Sequence, residues 1–229
     1  MIVSVHQPQY LPYLGFFHKL ARSDVFVVLD TVQFLRRGFQ HRASIKTQHG
    51  GSWLTVPVEA RQSTEISDVT ISPSEPWQRR HVSAIRTNYG RAAFFDRYAE
   101  ELTDLIQRPW RSLTDLDITL TRWVMAELGI SASIVLASEL DVAGSSSELL
   151  AGLCRAVGGS TYLSGSGGSR YMDVSVFERV GLAVEWQAFV SPSYEQLFPQ
   201  LGFIPDLSIL DVLLCCGPDT KTFLEASDE

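Results

Sequence analysis

The first thirty residues constrain the fold more than any other part of the chain. Residues 2–5 form a short β-branched run, ended by a proline-bracketed loop over residues 6–12. In residues 13–22, Leu14, Phe17, His18 and Ala21 share one face at helical spacing. Residues 25–29 (VFVVL) are continuously apolar, as in a strand covered on both faces. A strand, a helix and a strand in so short a span predict a βαβ unit with parallel strands and a right-handed crossover.

The rest of the chain repeats the alternation. Residues 43–46 and 53–58, split by His49-Gly50-Gly51, predict a β-hairpin, and residues 69–71 a further short strand. The middle reads as helical over 76–89, 92–107 and 113–128, the last preceded by Ser112 and stopped by Gly129. Strand character returns at 133–137, and Ser145-x-x-Glu148 has the form of a capping box for a helix to residue 157. A strand at 161–163, a helix at 174–180, a strand at 183–189 and a helix at 209–216 complete the reading. The expected fold is α/β: a mostly parallel, Rossmann-like sheet flanked by helices, in one domain spanning 1–229. A small β-hairpin and a helical insertion, roughly 76–128, interrupt it.

Charge separates the candidate partners. The net charge is -7, which argues against general nucleic-acid binding. Yet no acidic residue lies between Asp30 and Glu59, where Arg36, Arg37, Arg42 and Lys46 fall, nor between Glu75 and Asp96, where Arg79, Arg80, Arg86 and Arg91 fall. With eight positive charges in these windows, the remainder carries -15, being -7 less 8. Such islands predict a small-molecule substrate with an anionic handle. No apolar run approaches the ~18 residues of a membrane span. With three cysteines and no leader-like start, a cytoplasmic protein with reduced thiols is expected.

Ligands of open parallel sheets sit beyond the carboxyl ends of the strands, and three polar clusters fall there. His6, Gln7, Gln9 and Tyr10 follow the first strand. Asp30 and Gln33 follow the second. Ser164, Gly165, Ser166, Gly167, Gly168, Ser169, Arg170 and Tyr171 follow the strand at 161–163, where glycines allow positive φ and an anion-cradling turn. Tyr194, Gln196 and Asp211 lie further on. The five histidines have no pair at i, i+4 and no cysteine cluster beside them, so no metal site is expected. Cys154, Cys215 and Cys216 sit in apolar runs and read as inert.

The stretch HQPQYLPYLGFFHKLARSDVFVVLDTVQFLRRGFQHRASIK, then GGSWLTVPV, resembles the WbqC-like protein family. YLSGSGGSRYMD, SYEQLFP and DLSILDVLLCCGP extend the likeness to about residues 4–218. Members of that family are typically encoded with genes for O-antigen sugars and natural products. The resemblance implies a biosynthetic tailoring transferase that moves a small acyl or aminoacyl group, such as glycyl, from an activated donor to an amine. On that reading His6 is the base, Asp30 orients it or the amine, and Gln7 and Tyr10 complete the catalytic set. Gln33, Arg36, Arg37, Arg42, Lys46, Ser164, Gly165, Ser166, Arg170, Tyr171, Tyr194 and Gln196 bind substrate, with a phosphopantetheine-linked donor or ATP as the activating group. A more distant likeness, to nucleotidylyl transferases and adenylate-forming ligases, implies an ATP-dependent ligase; Tyr13 and Phe16 stand where that family has histidines. A third reading is a non-catalytic module that docks an acyl carrier protein through residues 79–91.

Overall fold

The computed structural model describes residues 1–61, 63–74, 76–170 and 172–225. Its centre is a five-stranded, all-parallel sheet. Along the chain its strands are β1 (Ile2–His6), β2 (Val25–Val28), β7 (Ser133–Leu136), β8 (Thr161–Ser164) and β9 (Ala183–Trp186). In space the order is β7-β2-β1-β8-β9, the third, second, first, fourth and fifth sheet strands. The chain winds outward from β1 one way, then returns to β1's other side, so a crevice opens between the loops leaving β1 and β8. β1 and β2 pair in parallel, Val3 with Val25 through His6 with Val28, as the βαβ reading requires.

Period-two alternation divides β1 and β2 between the faces of the sheet. Val3, Val5 and Val27 pack under α5 (Ser146–Ala156) and α6 (Val174–Arg179). Phe26 and Val28 face the larger core, built with α1 (Leu14–Ala21), α4 (Leu113–Leu128) and α7 (Ile209–Cys216). Ser4, on that same side, is buried and accepts from the Ser23 hydroxyl at 2.8 Å, which fixes the end of α1 to the strand it left.

The long connection from β2 to β7 holds the hairpin and the inserted helices. β3 (Arg42–Thr47) and β4 (Gly50–Thr55) pair antiparallel, and β5 (Val58–Glu59) pairs with β6 (Thr70–Ile71). α2 (Trp77–Tyr89) and α3 (Phe95–Gln107) precede α4, which Ser112 caps by accepting from the Asp115 N–H at 3.1 Å and which Gly129 ends at φ 70°. The predicted capping box at Ser145 does not form: Ser145 is the N-cap of α5, but its side chain accepts no helix N–H. A short helix, α8 (Thr222–Glu225), follows α7. No helix among the described residues is long and apolar enough to cross a membrane.

Candidate functional site

Two chambers meet at the carboxyl end of β1, sharing His6 and Tyr13 as lining residues. The inner chamber, about 200 Å³, occupies the switch point. Val5 and His6 of β1, Gly15, Phe16 and Lys19 of α1, Tyr162 and Ser164 of β8, and Gln187 just beyond β9 line it. The outer chamber, about 400 Å³, lies between the loop over residues 6–12, the hairpin strand β3 and the approach to α7. Gln9, Tyr10, Phe39, Arg42, Ser44, Asp206 and Ser208 contribute to its walls.

Burial sets the protonation of the inner chamber. Lys19 is 4% exposed, and its Nζ reaches only the Val5 carbonyl, at 3.4 Å, among the described residues. Desolvation lowers its ammonium pKa to about 7, so the free amine is well populated at neutral pH. His6 is driven lower, to about 3, by burial first and then by the charge of Lys19. The near-neutral base expected at His6 is therefore a permanently neutral imidazole. Its Nδ1 lies 2.9 Å from the Gln7 carbonyl; since a carbonyl only accepts, Nδ1–H donates and Nε2 keeps its lone pair. The ring stands edge-on to Phe16, centroids 5.3 Å apart.

The far wall is pinned by Gln187. Its amide donates to the Gly15 carbonyl at 2.7 Å and to His18 Nδ1 at 2.9 Å, while its backbone N–H donates to the Ser164 carbonyl at 2.8 Å. These bonds tie the ends of β8 and β9 to the start of α1. The turn after β8 is a 3-10 segment, Ser166–Arg170, and none of Gly165, Gly167 and Gly168 has the positive φ expected for a nest. Close approach favours glycine at 168 instead: a Cβ there would lie 2.2 Å from Ser164 Oγ, and that hydroxyl would have to turn away.

The sequence-derived candidates divide. His6 and Ser164 meet in the inner chamber with Gly165, and Tyr10 and Arg42 line the outer one. Tyr10 is fully buried, donates to or accepts from His81 Nδ1 at 2.8 Å, and is held neutral by desolvation and the nearby Asp117. Gln7 accepts from the Gln40 amide at 2.6 Å, behind His6. Asp30 gives both carboxylate oxygens to Ser138, at 2.9 and 2.6 Å, and so joins β2 to the turn after β7 rather than orienting His6. Gln33 forms a bridge with Glu65. Arg36 donates to the Ala60 carbonyl and borders a separate cavity with His41; Arg37 and Arg170 are exposed. Ser166 begins the 3-10 turn, and Tyr171 lies outside the described residues.

Lys46, Tyr194 and Gln196 converge, but on Asp211 and not on a chamber. Asp211 is fully buried and accepts from Tyr89, Tyr194 and Gln196 at 2.7–2.8 Å, while Lys46 donates to Gln196 at 3.1 Å and to the Gly202 carbonyl at 2.6 Å. Ser44, in the outer chamber, is two residues from Lys46 on β3, so the network braces that wall. The thiols are raised to about 11 to 12 by burial, far from reactive.

Gln187 and Tyr13 carry no spacing signal as site residues, whereas helical spacing sets Lys19 one position around from the buried face of its helix, open either to a ligand or to water. For Lys19 a signal existed: the chain has three lysines against sixteen arginines, and one lysine stands within the apolar LGFFHKLA helix. Arginine cannot deprotonate in a protein, so a lysine kept there marks a place where an uncharged amine is usable.

A doubly wound parallel sheet with a bipartite cleft at its switch point defines the chain as an α/β protein. The family model described as the WbqC-like protein family matches residues 7–223, and the chain belongs to that family. It is also 31% identical over 226 residues to the uncharacterized protein Rv1507c of Mycobacterium tuberculosis, covering 97% of this chain and 96% of that one. No solved structure matches.

Proposed function

We propose that the protein is an acyl or aminoacyl transferase that joins an activated thioester donor to an amine acceptor, as a tailoring step in biosynthesis. The observation that carries this reading is the meeting of two chambers at His6, with a lysine of pKa about 7 in the smaller one. Transfer between two molecules needs two berths that touch and a group that shuttles a proton near the operating pH. The outer chamber, with Arg42, takes the donor and its anionic group; the inner one takes the amine.

In the reaction the acceptor amine attacks the donor carbonyl, a C–N bond forms and the C–S bond breaks. The proton leaving the attacking nitrogen passes to the neutral Lys19 Nζ, and the resulting ammonium returns it to the departing thiolate. His6 accepts a hydrogen bond from the amine through Nε2, which points the nitrogen lone pair at the carbonyl. Ser164 and Gln187 supply polar contacts to the acceptor.

Incubating the protein with acetyl- and glycyl-pantetheine and amino-sugar acceptors tests this by thiol release and mass-detected amide. The rate should rise with pH to a plateau through an inflection near 7, since Lys19 acts in its deprotonated form. Lys19→Met should cut the rate by about 10²–10⁴ and abolish the inflection. Amide formation only when ATP is added would replace this reading with the ligase reading.

A further inference from the structure

We propose that the rim of the outer chamber is the docking surface for an acidic carrier protein that presents the donor on a phosphopantetheine arm. This inference rests on the transfer reading above.

Three of the exposed large apolar residues belong to the turn and hairpin that build this rim: Leu35 (52% exposed), Phe39 (53%) and Trp53 (47%). Phe39, Trp53 and Arg42 form one surface through direct contacts, and Leu35 lies in the adjoining turn. Phe39 packs on Trp53 with ring centroids 5.9 Å apart, the Arg42 guanidinium lies 4.3 Å over the Trp53 ring, and an Arg42 Nη2–H donates to the Arg37 carbonyl. The turn that carries Leu35, Arg36 and Arg37 closes with the Gly38 N–H donating to the Leu35 carbonyl at 2.8 Å. Phe39 and Arg42 also line the outer chamber, so the patch is continuous with its mouth.

A solvated apolar cluster of this kind marks an interaction site, and its surroundings select the partner. Arg36, Arg37 and Arg42 fall in the stretch between Asp30 and Glu59 that has no acidic residue, in a molecule of net charge -7. Asp206 also lines the chamber, its carboxylate accepting from the Ser191 hydroxyl. An acidic protein is repelled by most of this surface and is steered to the arginine-flanked mouth. The other cationic segment, residues 79–91, contains no exposed large apolar residue among the described residues. A nucleotide would answer the arginines but would leave Leu35 uncovered. A tethered donor answers all three features at once: apolar contact, negative charge, and an arm entering the chamber.

The test is binding of phosphopantetheinylated acyl carrier proteins, by fluorescence of a label on the carrier, with turnover of free acetyl-pantetheine run in parallel. Micromolar binding is expected at low salt, weakening about tenfold or more as salt screens the contact. Arg36→Glu with Arg37→Glu, and separately Leu35→Glu, should each weaken it at least tenfold, while Leu35→Glu leaves free-thioester turnover unchanged. Absence of carrier binding, binding indifferent to these substitutions, or self-association of this chain through the same residues would each overturn the inference. Carrier binding without any thioester turnover would instead sink the transfer reading and leave the surface standing.

Discussion

Folding lowers the pKa of both Lys19 and His6, and for the same reason. The cleft strips water from two cationic acids and returns little to either: one long bond to a carbonyl for the amine, one carbonyl for the imidazole. The loss leaves the amine near neutrality and takes the imidazole out of the physiological range. Asp211 shows the opposite economy. It is as deeply buried, yet three donors satisfy its oxygens, and their hydrogen bonds counter the upward push of desolvation on its pKa. Asp211→Ala should therefore cost about 3 kcal/mol or more, because it strands the hydroxyls of Tyr89 and Tyr194 and the Gln196 amide. A fall in the urea midpoint at constant slope would report it. At this scale the sequence was a partial guide. His6 and Ser164, singled out as strand-end residues, do line one chamber. The error at Lys46 and Tyr194 has a physical source: a polar side chain in an apolar neighbourhood looks alike in sequence whether it faces a ligand or a buried carboxylate.

Elements were more legible than residues, since they arise from local periodicity. The first βαβ unit, the hairpin and the three inserted helices stand near their predicted positions, with ends displaced by a few residues where caps decide the boundary. Caps themselves were uneven. Ser112 and Ser145 have the same signature, but only Ser112 holds a helix N–H, because the backbone after Ser145 starts with Ser146 at φ 48°. Ser112→Ala should lower stability by about 1 kcal/mol, and Ser145→Ala by much less, in chemical denaturation of the two variants side by side. The turn after β8 makes the same point about glycine. Three glycines allow left-handed backbone, which none of them adopts; Gly168 instead lets the turn lie close against Ser164.

The strand order is a property of the whole molecule and no local pattern encodes it. Alternating strands and helices predict a parallel sheet, but the reversal beside β1 depends on which side of β1 the fourth sheet strand joins. That reversal creates the crevice, and the crevice desolvates Lys19, so the chemistry of one amine is inherited from the topology. Linkage gives the consequence for stability. Between pH 7 and 10.5 the unfolded chain keeps a proton on Lys19 that the native protein has released, so this group's contribution to stability rises with pH across that window and is flat below it.

The most direct measurement is a titration of the lysine side chains by NMR, with carbon-13 at Cε. There are only three lysines, Lys19, Lys46 and Lys221, and Lys19→Met identifies its resonance by deletion. The Lys19 signal should titrate near pH 7 and move when acetyl-pantetheine or an amino sugar is added. A Lys19 signal that titrates near 10.5, as a solvated amine does, and ignores both ligands would contradict this.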